Sequence, residues 1–204
     1  MADRQRHWEK IYSNKAVDQV SWFQPHAASS LRLIEECTDK GARIIDVGGG
    51  TSVLVDDLLD AGYRNLTVLD LAESALATSG ARLGARAASV QWIAADITRA
   101  DLPAAHFDVW HDRAVFHFLT DPDDRVRYVE QVLKSVKPGG YVIVAAFGPG
   151  GPLQCSGLDV VRYSPDALHA EFGVPFRLLR HETEIHHTPA GQEQEFVYCY
   201  CVRT

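Results

Sequence analysis

The sequence predicts an α/β fold: a doubly wound, mostly parallel sheet of seven strands that ends in an antiparallel hairpin. Three observations carry this expectation. Between residues 43 and 147, short apolar runs alternate with stretches in which apolar side chains recur at helical spacing, the pattern of successive βαβ units. Asp46-Val47-Gly48-Gly49-Gly50 stands where the first of these strands passes into a helix. After residue 175 the pattern changes, and two strand-like runs, 176–187 and 195–203, flank the hairpin connection Thr188-Pro189-Ala190-Gly191.

In chain order, residues 3 to 12 read as a short amphipathic helix whose apolar residues are Trp8, Ile11 and Tyr12. Residues 13–24 are irregular and end in Val20-Ser21-Trp22-Phe23-Gln24. Pro25 opens a helix to about Thr38, with Leu31, Leu33 and Ile34 on its buried side, and Gly41 ends it. Strands follow at 43–47, 66–69, 90–93 and 107–111, separated by helices at 52–61 and 73–83. Residues 123–136 form a long helix with Val126, Val129, Val132, Leu133 and Val136 at helical spacing. Pro138-Gly139-Gly140 is a turn into the strongly apolar strand 141–147. A glycine- and proline-rich loop (148–152) and a short helix near Ser164-Pro165 precede the hairpin.

The 204 residues suit one domain, with neither repeat nor low-complexity linker. Residues 1–24 would be a helix and lid-like segment, and residues 25–204 the core. A formal net charge of -7 argues against a general nucleic-acid binder. The positive cluster Arg125, Arg127, Lys134 and Lys137 reads as a solvated helix face. Cys37, Cys155, Cys199 and Cys201 are expected to be reduced thiols. Cys199 and Cys201 would share one side of a strand, a poor geometry for pairing with each other. Combining them with His186 and His187 as a zinc site matches no standard ligand spacing, so no metal is expected. Without a signal core or a run of transmembrane length, the expected location is cytoplasmic, with no membrane partner.

Glycines after a strand let backbone approach a ligand closely, and the helix N-terminus offers free N–H groups. That device alone is widespread. Asp46 sharpens it, because a carboxylate beside the turn repels a pyrophosphate and suits an ammonium group. Asp70 ends the next strand, where an acid can accept hydrogen bonds from ribose hydroxyls. Asp96, in Ala94-Ala95-Asp96-Ile97, ends the third strand and is placed for an exocyclic amino group of adenine. Each acid alone could be a surface residue or a cap. Three successive strands ending in Asp at one sheet edge point to a nucleoside.

On these residues the chain resembles the class I S-adenosylmethionine-dependent methyltransferases over nearly its whole length. Asp46-x-Gly48-x-Gly50 is similar to their first motif, Asp70 to their ribose-binding acid and Asp96-Ile97 to their adenine-contacting pair. Phe107-Asp108-Val109-Trp110 with Val115-Phe116-His117 resembles their fourth-strand segment, and Leu133 to Tyr141 their approach to the fifth strand. The resemblance implies a Rossmann-like fold and S-adenosylmethionine as cofactor. It assigns cofactor contacts to Asp46, Gly48, Gly50, Ser52, Asp70, Leu71, Asp96, Ile97, His111 and Asp112. Tyr12 and Trp22, with Phe23 beside them, would add an aromatic wall for the positive sulfonium, unless they only pack the N-terminal segment on the sheet.

Methyl transfer from a sulfonium needs the acceptor held in line and shielded from water. His117 is the candidate base, since an imidazole titrates near neutrality; its alternative is a hydrogen-bonded histidine opening a helix. Arg113 is the second candidate catalytic residue. Asp112 and Arg113 either pair with each other or face the cofactor's methionine end and an anionic substrate. Trp110 and Phe116 read as core, and the loop 148–161 with Cys155 as a second pocket wall. Trp8 to Tyr12 with Trp22-Phe23 resembles protein-lysine methyltransferases of the elongation-factor and citrate-synthase type. Trp22 to His26 with Asp112-Arg113-Ala114 resembles thiopurine and other thiol methyltransferases. The expected acceptor is a small molecule offering N, S or O, with protein lysine as the alternative. An NAD(P)-dependent oxidoreductase and a non-catalytic cofactor-binding module are the alternatives of other classes.

Overall fold

The computed structural model describes residues 2–204; Met1 lies outside them. Five strands are laid down with helices between them: β1 (Arg43–Val47), β2 (Asn65–Asp70), β3 (Val90–Ala94), β4 (Phe107–Arg113) and β5 (Val136–Phe147). Two more, β8 (Phe176–His187) and β9 (Glu193–Arg203), form the closing hairpin, while β6 (Gln154–Cys155) and β7 (Leu158–Asp159) make a separate small one. The sheet order is β3-β2-β1-β4-β5-β9-β8. β1 to β5 pair in parallel, and β9 joins β5 and β8 antiparallel. This is the seven-stranded, mostly parallel sheet with a terminal hairpin that the sequence predicts. The chain winds outward from β1 to β3 and then returns to place β4 on the other side of β1. Crevices open at such reversals, beyond the carboxyl ends of the strands.

Strand residues alternate between faces, and both faces are covered. On one side Ile44, Val68, Val109 and Ile143 pack under helices α2 (Ala28–Cys37), α3 (Leu54–Asp60) and α4 (Glu73–Leu83). On the other, Ile45, Leu69, Trp110 and Val142 pack under α5 (Pro122–Ser135) and α6 (Pro165–Phe172). The first helix, α1 (Ala2–Asn14), packs against α4 and is bonded to α5 through Arg4 and Asp124.

The departures from expectation have physical causes. α2 starts at Ala28 rather than Pro25, because residues 26–27 are held from outside: Asp57 of α3 accepts from the Ala27 N–H at 2.7 Å and bonds His26 Nδ1 at 2.9 Å. α3 starts at Leu54 rather than Ser52, whose hydroxyl accepts from the Leu54 N–H at 3.1 Å. Pro138-Gly139-Gly140 does not precede β5 but is a bulge within it. The register passes from Phe107↔Val136 to Val109↔Tyr141, with Gly139 at a φ of 78° and Lys137 bound to Asp108 at 2.5 Å. Val126 faces solvent, and Tyr128 takes the buried place on α5. β9 begins at Glu193. Cys199 and Cys201 are free and in mutual contact, with sulfurs 3.4 Å apart. Among the described residues, no helix is long and apolar enough to cross a membrane, and no cluster of three or more His, Cys, Asp or Glu is placed to hold a metal.

One buried polar knot joins β4 to α5. The Tyr128 hydroxyl donates to Asp112 Oδ2 at 2.5 Å and accepts from Trp110 Nε1 at 2.9 Å. Replacing Tyr128→Phe leaves the indole N–H and the carboxylate short of a partner. The expected loss is about 1–3 kcal/mol of unfolding free energy in urea titration; a change under about 0.5 kcal/mol, the level of an ordinary surface substitution, contradicts it.

Candidate functional site

The site begins with a turn that has no space for side chains. Gly48 and Gly50 have positive φ, 71° and 38°. A β-carbon on Gly48 would fall 1.9 Å from Val115 Cγ2; on Gly49 it would meet Asp46 and Val68, each at 2.6 Å. On Gly50 it would meet Asp70 Oδ2 and the Tyr12 hydroxyl, each at 2.8 Å. The turn is pinned from below and from the side. The N–H groups of Gly48 and Gly49 donate to Leu69 O at 2.7 and 3.3 Å. From α4, Ser79 Oγ donates to Gly50 O at 2.6 Å, and Arg82 donates to the carbonyls of Thr51 and Ser52 at 2.9 and 2.6 Å.

Above the turn lies a cavity of about 300 Å³, over the carboxyl ends of β1 to β4. Val47, Gly48, Asp70, Leu71, Asp96 and Ile97 line its floor and near side. Asp70 Oδ1 accepts from the Ala72 N–H at 2.8 Å, while Oδ2 faces Gly50 and Tyr12. Burial pushes the Asp70 carboxyl up to about 7, with Asp46 and Glu9 adding to the rise and the backbone N–H groups opposing it. Asp96 keeps Oδ1 on Thr98, at 3.0 Å from its N–H and 2.8 Å from its hydroxyl.

An aromatic wall faces these acids. Trp8 packs edge-on against Phe118 and Trp22, with centroids 5.0 and 5.8 Å apart, and Tyr12 meets Trp22 at 6.0 Å. All four line the cavity. Burial raises the Tyr12 phenol well above its ordinary value, and Asp70 adds to the rise. Cys155, Leu158 and Asp159, from the loop carrying β6 and β7, form a further wall. From sequence, Trp8 reads only as an apolar helix residue and as part of the stretch from Trp8 to Tyr12, not as a cavity residue, and Phe118 is not singled out. Trp8 carried a usable signal, standing four residues before Tyr12 and so on the same helix face.

Other expected residues lie elsewhere. Asp46, Ser52 and His111 line a smaller cleft of about 40 Å³, and it shares only Trp22, Gly48 and Arg113 with the main cavity. Phe23 faces this cleft rather than the main wall. Asp46 is not open to an ammonium along its whole carboxylate: Oδ1 bonds His111 Nδ1 at 2.7 Å, and His111 Nε2 bonds Ser30 Oγ at 2.8 Å. Asp112 is fully buried and lines neither space. Its oxygens accept from the N–H groups of Val115 and Phe116 at 2.9 and 3.1 Å and from Tyr128, which makes it a brace for the turn after β4. Burial raises its carboxyl to about 7. Arg113 does not pair with it. Its Nη2 donates to Glu184 at 2.9 Å, its Nε donates to the Tyr198 hydroxyl at 3.0 Å, and the guanidinium lies over Phe196.

His117 is not a base in this structure. It is fully buried and lines neither space. Its Nδ1 accepts from the Phe147 N–H at 3.2 Å, which places its proton on Nε2. Burial, with help from Arg113, depresses its pKa to about 3. The ring stacks on Phe147 at 4.3 Å as a core residue.

Comparison with known proteins agrees with this geometry. The profile of a family described as a methyltransferase domain matches residues 44–140. A Mus musculus protein, eEF1A lysine and N-terminal methyltransferase, is 24% identical over 132 residues, 64% of this chain and 19% of that protein. The Ectopseudomonas mendocina ubiquinone/menaquinone biosynthesis C-methyltransferase UbiE is 32% identical over 129 residues, 61% of this chain and 49% of that protein. The chain therefore spans about a fifth of the first relative's length and about half of the second's. Among solved structures, the Burkholderia thailandensis 1,6-didemethyltoxoflavin-N1-methyltransferase, with 1,6-didemethyltoxoflavin and S-adenosylhomocysteine bound, aligns with a TM-score of 0.68. It is 18% identical, and the alignment covers 100% of this chain and 85% of that one. That likeness is one of fold.

The turn's geometry gives a direct test. Gly48→Ala adds a methyl where Val115 already stands, on a backbone that disfavours it. The expected loss is about 2 kcal/mol or more, read as a fall in thermal midpoint. An unchanged midpoint contradicts the tight-turn account.

Proposed function

We propose that this chain is a class I S-adenosylmethionine-dependent methyltransferase, supported by the methyltransferase-domain match over residues 44–140, and that it methylates a nitrogen, sulfur or oxygen of a small-molecule acceptor. One observation carries the reading: carboxylates on strand ends face an aromatic wall across a single cavity. The residues present fit the cofactor. Asp70 lines the cavity, with Oδ1 on the Ala72 N–H and Oδ2 beside Gly50 and Tyr12, and in this reading it takes the ribose hydroxyls. Asp96 and Ile97 line the stretch suited to adenine, and the side-chain-free turn leaves room at Gly48. Trp8, Trp22 and Phe118 offer aromatic faces to a positive charge. A nicotinamide dinucleotide could share Asp70 but would have to bring its pyrophosphate beside Asp46.

When bound, the cofactor supplies an electrophilic methyl group on a sulfonium. This chain's part is placement. Asp70 and Asp96 hold the nucleoside, and the turn sets its depth. The wall from α1 and Trp22 excludes water, which favours displacement by a weakly hydrated nucleophile. With His117 in the core, no side chain is assigned as base, and the acceptor arrives as a neutral nucleophile or gives its proton to solvent. Arg113 stays in the proposal as a residue at the junction of the two spaces, oriented by Glu184 and Tyr198. Residues 1–24 act in this reading as a lid over a core of residues 25–204, in a cytoplasmic protein without nucleic-acid or membrane partners.

Protein lysine is the second reading, favoured by the eEF1A relative and by aromatic faces that would also suit an ammonium. Incubation with radiolabelled cofactor and separated lysate fractions distinguishes the two. Label in the small-metabolite fraction is expected; label in protein alone rejects a small-molecule acceptor.

Asp70 makes cofactor binding depend on pH. Its carboxyl titrates near 7 in the free protein, and ribose hydroxyls donate to the ionised form, so occupancy lowers that value. Affinity for S-adenosylhomocysteine should therefore be level above pH 7 and weaken below it, by up to about tenfold per unit. Asp70→Asn should weaken binding by about 10- to 100-fold and flatten the profile. A wild-type profile that is flat from pH 5.5 to 8 contradicts the assignment.

A further inference from the structure

The helix α1 presents one face to the cavity: Arg4, Trp8 and Tyr12, spaced four residues apart, all line it. Tyr12 reaches furthest, its hydroxyl close over Gly50 alongside Asp70 Oδ2. Any ribose held by Asp70 would thus lie beneath α1. Several contacts keep the helix down. Arg4 bonds Asp124 at 2.5 Å, Trp8 packs on Phe118 and Trp22, and Tyr12 meets Trp22. Glu9 adds a contact of another kind: its Oε1 accepts from the Glu73 N–H at 2.7 Å and its Oε2 from the Ser74 N–H at 3.4 Å.

That contact is unlike an ordinary surface bond. Glu73 and Ser74 open α4, an eleven-residue helix whose first N–H groups have no intrahelical acceptor. Its flanking residue Ala72 supplies no side-chain cap. The cap comes instead from two carboxylates elsewhere: Asp70 takes the N–H of Ala72, and Glu9 takes the next two. A carboxylate on such an end gains both a charge-assisted bond and the favourable helix dipole. One helix N-terminus therefore ties the expected ribose acid to the element that covers it.

We propose that Glu9 is the latch of α1, a positioning residue that sets how fast the cofactor enters and its product leaves. The proposal rests on the reading of the cavity as the cofactor site. Exchange requires α1 to lift, and lifting breaks the Glu9 cap. Closure by lids commonly limits turnover in this way. Glu9→Ala removes the cap, and Glu9→Gln keeps an acceptor oxygen but not the charge.

Stopped-flow fluorescence, read from the native tryptophans, measures association and dissociation of S-adenosylhomocysteine. For Glu9→Ala both rates should rise, dissociation about tenfold, a change of about 1.4 kcal/mol; Glu9→Gln should fall between the two proteins. Amide hydrogen exchange on the ligand-free protein is the second measurement. It should speed up across residues 3–14 in Glu9→Ala while β1 and β4 keep their protection. Unchanged rates together with unchanged exchange in α1 overturn the latch, even if the thermal midpoint falls. If the wild-type protein binds no S-adenosylhomocysteine, the cofactor reading fails, and the exchange result alone decides whether Glu9 holds the helix. A variant that loses protection everywhere reports a fold role and also rejects the proposal.

Discussion

The molecule is organised by a steric constraint at one turn. Between β1 and α3 the backbone passes so close to Asp46, Val68, Asp70, Val115 and Tyr12 that three consecutive positions have no room for a β-carbon. Much around the turn serves to hold it there. The Leu69 carbonyl receives two of its N–H groups, and Ser79 and Arg82 bind its carbonyls from α4. Because side chains are absent, polar groups from neighbouring strands and from α1 can converge on one small volume. The cavity is the result of that convergence.

Burying acids near this turn is costly unless each is given partners. The structure treats them differently, and the difference sorts structural from ligand-facing roles. Asp112 is fully engaged by two N–H groups and a phenol. Asp46 is tied to His111, which Ser30 holds in turn, beside the smaller cleft. Asp70 lines the main cavity, with Oδ1 bonded to the Ala72 N–H, Oδ2 beside Gly50 and Tyr12, and its ionisation pushed up to about 7. A buried acid with a raised pKa that lines a cavity is a candidate for binding a ligand.

Much of the fold was legible from the chain because its signals are local. Alternating short apolar runs and helical periodicity located the principal strands and helices, and Thr188-Pro189-Ala190-Gly191 marked the hairpin. What was not legible depends on partners distant in sequence. Asp57 caps the start of α2 across a gap of 30 residues, so Pro25 misled. The His117 ring is fixed by the Phe147 N–H, a β5 group that no pattern around His117 reveals. Asp112 reads like a site acid because it stands with Arg113 near the end of the fourth strand, yet its neighbours consume both oxygens. Asp70, at the end of β2, and Asp96, just beyond β3, reach one cavity because a parallel sheet puts its strand ends at one edge. Trp8 was visible in the spacing of α1, but its position over the cavity depends on how that helix docks.

The central claim is that the carboxylate edge and the aromatic wall together select a sulfonium-bearing nucleoside rather than a dinucleotide. Parallel calorimetric titrations with S-adenosylhomocysteine and with NADH test it most directly. The account predicts one S-adenosylhomocysteine bound per chain, with a dissociation constant on the order of micromolar, and no heat of binding for NADH. Binding of NADH with no binding of S-adenosylhomocysteine would contradict it.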